Sequence, residues 1–525
     1  MITAEPPLIA ALRDPACYPQ PVKDVRLMET HISWVFLTGE WVYKLKKPVD
    51  LGFLDFTGLA ARRHFCEEEL RLNRRLAPSI YQSVIEIRGT PNRPRVEGAG
   101  PLLEYAVRMR EFPQGALASE LLNRGALTAA HIDALAQRIA EFHASAARSP
   151  GSSAFGTPES LLKPALDNFD ALESALVDTP AREALRTLRG WTVREYIALR
   201  SVFAARRQDG FVRECHGDLH LRNIAVLDHQ PTPFDCIEFS DALRWIDVMS
   251  EVAFLVMDLA DRGRRDFGWR FLNRYLECTG DYAGLAVFRF YLVYRALVRA
   301  KVHVLRAQQS GIPHAERQRL TAVARDYVTL AQGFSADARR ALVITHGVSG
   351  SGKTFASASF IEIAGGVRVR SDIERKRLHG LAALARSDSA PDAGIYTAPA
   401  TRATYERLLH LADLAVCAGY PVLVDAAFLE RRERDTFRAH AARLHVPFAI
   451  VAFDAPVATL KARVAQRLAD GTDASEADLA VLQRQLQYRQ QFSAEEAPSV
   501  FPVDTREPVT PDTWKTLLKR LALPA

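Results

Sequence analysis

Lysine is scarce in this chain. Among 525 residues there are 11 lysines against 57 arginines, yet Lys44, Lys46 and Lys47 stand together. Paired cysteine motifs are missing as well: Cys17, Cys66, Cys215, Cys236, Cys278 and Cys417 are scattered with no C-x-x-C. That spacing argues against a zinc ribbon or a disulfide framework and fits a reducing cytoplasm. No run approaches the roughly 18 uncharged apolar residues that span a bilayer. Met1–Gln20 carries Glu5, Arg13 and Asp14 around only the short apolar stretch Leu8–Leu12, which is unlike a signal peptide. A soluble, cytoplasmic protein with no membrane partner is expected. A strong charge bias is lacking too: a net charge of +6 over this length does not by itself imply a nucleic-acid partner.

What is present describes folded domains. Hydrophobic residues make up 48% and charged residues 25%, ordinary globular values. The length exceeds the roughly 250–300 residues at which single cores stop growing, so two or three domains are expected. The sharpest local signal is Gly347-Val348-Ser349-Gly350-Ser351-Gly352-Lys353-Thr354, which fits G-x-x-x-x-G-K-[ST]. The apolar run Ala341–Thr345 before it reads as a buried strand, and Phe355–Phe360 after it can open a helix, the context the motif requires. Glycines let successive N–H groups turn onto a phosphate at a helix N-terminus. Lys353 would reach the β- and γ-phosphates of ATP, and the Thr354 hydroxyl would hold Mg²⁺.

Upstream, Thr30–Leu37 and Trp41–Lys47 read as a hairpin about Thr38-Gly39-Glu40, with Lys44 and Lys46 on one strand face. The acidic helix Arg62–Leu76 carries Glu67, Glu68 and Glu69 and can offer a carboxylate to a strand lysine. In kinase-like folds that ion pair orients the lysine on the phosphates. Pro101–Phe112 reads as a strand, Gly115–Asn123, Thr128–Ala147 and Leu161–Phe203 as helices, and 285–309 as a core helix with a basic flank. Then Cys215-His216-Gly217-Asp218-Leu219-His220-Leu221-Arg222-Asn223-Ile224 is followed by Pro233-Phe234-Asp235-Cys236-Ile237-Glu238-Phe239. Asp218 and Asn223 have the spacing of H-R-D-x-x-x-x-N, and Asp235 lies on a second β-like segment. Phosphoryl transfer needs a carboxylate to accept the hydroxyl proton and hard oxygen ligands for Mg²⁺. Asp218 is the expected base; Asn223 and Asp235 are the expected metal ligands. His216, His220 and His303 lack a ligand set at zinc spacing and read as structural.

The pair HGDLHLRN and FDCIEF resembles the aminoglycoside phosphotransferase (choline/fructosamine kinase-like) family. The likeness extends to Ala140-Glu141-Phe142-His143 and to Asp247 and Asp258, over about residues 25 to 330. It implies that Lys44 is the ATP lysine, with Lys46 as competitor, and that Glu69 is its helix partner. Leu221-Arg222 departs from the family's Pro-Gly, and Arg222 either touches phosphate or points to solvent.

Past Gly333–Asp337, a short polar link, the strand Val367–Asp372 ends in Asp372, with Arg375 one turn on. A carboxylate there can take a hydroxyl proton while arginine holds an anion. Pro421–Asp425 is a further buried strand whose Asp425 can bind Mg²⁺; Ile450–Asp454 and Val500–Asp504 follow. Arg463 and Arg467, at i,i+4, can close on the triphosphate as a lid, with the polar loop Asp470–Ser475 after them. This half resembles the small P-loop kinases, and the whole chain resembles bacterial proteins that fuse an aminoglycoside-phosphotransferase-like domain to a P-loop ATP-binding domain. The expectation is an α+β protein-kinase-like domain over 1–335 and an α/β P-loop kinase domain with a parallel sheet over 338–525. Both would move phosphate from ATP·Mg²⁺ to small-molecule hydroxyls. A nucleotide-sensing module attached to one kinase, and a polynucleotide end kinase, are the alternatives.

Overall fold

The computed structural model describes residues 5–523 apart from 51, 53, 310, 337, 384, 388, 390–392 and 471–473. The chain divides into two compact units, one from residues up to Ser160 with Arg206–Leu255, the other from Leu161–Ala205 with Val256 onward.

The first unit is built on six antiparallel strands: β1 (Arg26–Glu29), β2 (Ser33–Leu37), β3 (Trp41–Lys46), β4 (Tyr81–Thr90), β5 (Arg93–Val96) and β6 (Leu102–Arg110). Their order is β1-β2-β3-β6-β4-β5. Alternation decides which residues go where. Tyr43 and Leu45 join Phe36, Ile85 and Ala106 in one core, whereas Val42 joins Cys66, Tyr81, Val107 and Met109 on the other face. Lys44 and Lys46 share the Val42 face, against which the helix Leu59–Asn73 packs. The helix Ala129–Ser145 is started by Thr128, whose hydroxyl accepts from the His131 N–H. Two short antiparallel pairs complete the unit: β7 (Val212–Glu214) with β10 (Trp245–Asp247), and β8 (Ile224–Leu227) with β9 (Gln230–Pro233).

The stretch Leu161–Phe203, expected as helical, is covered by two helices, Pro158–Ala175 and Thr179–Gln208. Asp178 restarts the helix by accepting from the Ala181 N–H at 3.1 Å, just before a proline in the first turn.

In the second unit, the helices Arg265–Thr279, Leu285–Ala307 and His314–Ala336 precede a parallel sheet. Gly333–Ala336, expected as part of a polar link, is the last turn of His314–Ala336, because the buried stripe Leu320, Ala324, Tyr327, Val328 and Ala331 carries helical periodicity on; Asp337 lies outside the described residues. The sheet consists of β11 (Ala341–His346), β12 (Val367–Arg370), β13 (Pro421–Asp425), β14 (Phe448–Asp454) and β15 (Val500–Asp504), in the order β12-β13-β11-β14-β15. The chain leaves β11 first to one side and then to the other, so a crevice opens at the carboxyl end of β11, where ligands of open α/β sheets bind. All six cysteines are free thiols. Among the described residues no helix is long and apolar enough to cross a membrane.

Candidate functional site

The first cluster forms where β3, the helix Leu59–Asn73 and the segment after β9 meet. Lys44 Nζ lies 2.8 Å from Glu69 Oε1 and donates to Asp235 Oδ1 at 2.6 Å. Lys46 Nζ donates to the other Glu69 oxygen at 2.5 Å and to Glu238. The competition between the two lysines is thereby described by position. Lys46 is wholly buried, while Lys44 faces Asp235, whose side chain is 43% exposed. Three carboxylates face two ammonium groups, and of the three Asp235 is the one toward solvent.

Burial works to raise Glu69, but Lys44 and Lys46 outweigh it and bring it down to about 2. Burial likewise works against charge on Lys44, yet Asp235 and Glu69 lift its pKa above the ordinary lysine value. Glu238 moves the other way, because burial is the largest influence on it.

Asp235 is held at φ +62°, a left-handed conformation that costs a non-glycine residue energy and turns its carboxylate toward Lys44. Its N–H donates to Tyr81 Oη at 3.2 Å. Asn223 stands across the β8–β9 hairpin, its carbonyl accepting from the Phe234 N–H at 2.9 Å. The Asn223 amide nitrogen donates to Asp218 Oδ2 at 3.0 Å, and His220 Nε2 lies 3.3 Å from the same oxygen. The oxygens of Asn223 and Asp235 are hard donors of the type Mg²⁺ takes, and the solvent-facing carboxylate of Asp235 fits a divalent cation. Arg222 is exposed.

A residue the motif reading passed over supports this loop from behind. Glu251, fully buried, accepts from the Gly217 N–H at 2.7 Å with one oxygen and meets His143 Nε2 at 2.9 Å with the other. Burial works to raise Glu251, but the His143 hydrogen bond and charge bring it down to about 2. Gly217 sits at φ +89°, and a Cβ there would lie 2.9 Å from the Leu243 carbonyl, so glycine is required. His216 bonds the Phe234 carbonyl at 2.9 Å, and His303 stacks on Tyr327. Asp247 pairs with Arg206 at 2.7 Å and Asp258 with Arg262 at 3.2 Å.

The second cluster lies at the end of β11. Gly350, at φ +81°, passes so close to Leu460 that a Cβ would meet its carbonyl at 2.6 Å. Lys353 Nζ donates to the Gly347 carbonyl at 2.8 Å and the Val348 carbonyl at 3.0 Å. A cleft of about 1150 Å³ brings together Ser349, Gly350, Gly352, Lys353, Thr354, Asp372, Arg375, Asp425, Arg463 and Arg467. Ser351 is buried beneath the loop; its side chain is within 3.5 Å of Lys353 Nζ. Arg375 donates to the Ile395 carbonyl at 2.9 Å and to Thr401 Oγ1 at 3.2 Å. Arg463 reaches Thr505 O at 2.5 Å and Gly350 O at 3.5 Å, while Arg467 donates to the Ala477 carbonyl at 2.6 Å. Of the loop expected after them, 470–475, residues 471–473 lie outside the described residues.

Three residues of this cleft's surroundings carried no sequence signal. Ser357 Oγ lies 3.4 Å from Asp425 Oδ2, and Arg368 donates to the Thr354 carbonyl at 3.1 Å. Glu433 lines the cleft; burial is the main reason its pKa is pushed up to about 7, and a hydrogen bond from Tyr405 opposes the rise.

A lysine held by a helix glutamate above an Asp-Asn loop, and a P-loop at the switch point of a parallel sheet, are the two candidate sites. Residues 59–291 match the model of the phosphotransferase enzyme family, and residues 342–492 match that of an AAA domain. The chain is an ATP-dependent kinase in which a kinase-like domain that matches the phosphotransferase model is followed by a P-loop domain. It is similar to an uncharacterized protein of Mycobacterium tuberculosis, 29% identical over 466 residues that cover 88% of this chain and 91% of the relative. Among solved structures it is similar to a sugar kinase from Janibacter sp., with 22% identity, a TM-score of 0.27, and 35% of this chain and 95% of that one covered. A choline/ethanolamine kinase family protein from Mesorhizobium loti gives 12% identity and a TM-score of 0.37, with 62% and 98% covered.

Proposed function

We propose that this protein is a bifunctional phosphotransferase that moves the γ-phosphate of ATP to hydroxyl groups of small molecules at two separate sites, in modules 1–335 and 338–525. The observation that carries the proposal is the completeness of both sets: Lys44, Glu69, Asp218, Asn223 and Asp235 in one, and Lys353, Thr354, Asp372, Asp425 and Arg463 in the other.

In the first site Lys44, steadied by Glu69, binds phosphate oxygens, and Asn223 with Asp235 would hold Mg²⁺. Asp218 accepts the proton of the acceptor hydroxyl as its oxygen attacks phosphorus. In the second, the P-loop N–H groups and Lys353 bind the phosphates, and Thr354 and Asp425 would hold Mg²⁺. Asp372 takes the hydroxyl proton, Arg375 holds an anionic part of the acceptor, and Arg463 and Arg467 offset charge on the transferring group. When bound, Mg²⁺ would supply positive charge against the phosphates in both sites. The free thiols support a cytoplasmic location.

The test uses the full chain with one site silenced at a time, by Asp218→Asn or Lys353→Ala, against sugars, amino alcohols, nucleosides and RNA ends. Turnover by each singly silenced variant, lost in the double variant, supports two active sites. If one site binds nucleotide without turnover, that module is a nucleotide sensor; if RNA ends alone are phosphorylated, the small-molecule assignment is wrong.

A further inference from the structure

The helix Arg265–Thr279 lies inside the segment matched by the phosphotransferase model, yet its polar face is bonded to the P-loop module. Asn273 and Glu277, one turn apart, share that face. Asn273 donates to the Gly366 carbonyl at 2.9 Å and accepts from the Arg368 N–H at 2.6 Å, fixing the start of β12. Glu277 is buried, and its Oε1 accepts from Arg368 Nε at 3.2 Å and Nη2 at 2.7 Å. Arg370 and Arg274 lie 3.8 and 3.7 Å from the other oxygen.

This pairing leaves one arm of Arg368 to do something else. Its Nη1 donates to the carbonyl of Thr354 at 3.1 Å and reaches Ser357 Oγ at 3.3 Å. Ser357 Oγ, with one hydrogen to share between the Thr354 carbonyl at 3.1 Å and Asp425 Oδ2 at 3.4 Å, stands beside that carboxylate. One buried guanidinium therefore ties Glu277 to the first turn of the P-loop helix Lys353–Ala364 and, through Ser357, to Asp425. A buried arginine without its carboxylate would turn toward water, and its hold on Thr354 would go with it.

We propose that Glu277 and Asn273 are positioning residues for the P-loop site: acting through Arg368, they set Thr354 and Asp425 in the arrangement that binds Mg²⁺ and nucleotide together. Nucleotide affinity at the P-loop is then linked to the helix Arg265–Thr279, and by reciprocity nucleotide binding tightens that helix. The inference rests on the P-loop binding nucleotide as proposed above.

The experiment uses the full-length protein carrying Lys44→Ala to silence the first site, titrated with the fluorescent nucleotide mant-ATP at limiting and at saturating Mg²⁺. Glu277→Gln is expected to weaken binding by about tenfold at limiting Mg²⁺, and by less at saturation, on the scale of one buried charged hydrogen bond. Glu277→Asp should recover part of the loss. Arg368→Lys, which keeps a charge for Glu277 and drops the arm to Thr354, should show the same Mg²⁺-dependent loss; it decides the matter where Glu277→Gln fails to fold. Lys353→Ala separates the two ideas. If it leaves mant-ATP binding intact, the P-loop assignment itself is wrong. If it abolishes binding while the folded Glu277→Gln or Arg368→Lys protein stays within about twofold of its parent at both Mg²⁺ levels, the brace is overturned.

Discussion

The two lysines proposed to bind phosphate are held in opposite ways. Lys44 is gripped by carboxylates, of which Asp235 lies 191 residues away in sequence, whereas Lys353 rests on carbonyls of its own loop, five and six residues back. One site is assembled from distant elements and stores its charge balance in a buried network. The other is a local loop conformation, made by glycines at the end of a strand. The first should therefore couple chemistry to folding stability, while the second should keep them apart.

Substitutions test that contrast. Asp218→Asn should lower first-site transfer by roughly 10²–10⁴ while leaving P-loop turnover intact; retained first-site activity would remove Asp218 as the base. Glu69→Ala strips both buried lysines of a shared partner and should destabilise the first unit by about 3–5 kcal/mol in urea unfolding. Lys353→Ala should change stability by no more than about 0.5 kcal/mol while abolishing nucleotide binding at the P-loop. Equal stability losses in these two variants would end the contrast.

The two regions should also respond to pH with opposite sign. Glu251, brought from an ordinary 4.5 to about 2, releases its proton more readily folded than unfolded. Its contribution, about 3 kcal/mol, is present above 4.5 and lost as pH falls toward 2. Glu433 is shifted from 4.5 to about 7, so the folded state binds the proton more tightly and stability declines as pH rises between those values. That effect is the smaller of the two, since Glu433 is partly open to solvent. Unfolding midpoints against pH should lose the acid limb in Glu251→Gln and the neutral-range slope in Glu433→Gln.

Much of the P-loop half was legible because its chemistry is contiguous. The glycines, Lys353 and Thr354 follow one strand, Asp425 ends a strand whose apolar run is unmistakable, and Asp372 stands in the helix turn that follows the Val-Arg alternation of β12. In the first half, spacing marked Asp218, Asn223 and Asp235, and period-2 alternation put Lys44 and Lys46 on one face. Alternation cannot rank two lysines on the same face, however; only the packed helix and the segment after β9 separate the buried Lys46 from the Asp235-facing Lys44. Glu251 and Glu277 were invisible for a related reason. Each is one acidic residue among others in its helix, and its meaning lies in a partner, Gly217 or Arg368, supplied by another element.

By itself, then, the sequence marked two candidate phosphate sites and the strands, loops and motif residues that would form them, because hydrophobic periodicity and glycine conformational freedom act over a few residues. The tertiary structure alone decided how charge is shared among Lys44, Lys46, Glu69, Glu238 and Asp235, and that helix Arg265–Thr279 is bonded beneath the P-loop. Those are pairings of buried charges brought together from distant parts of the chain, and no local pattern can encode which carboxylate a desolvated cation will meet.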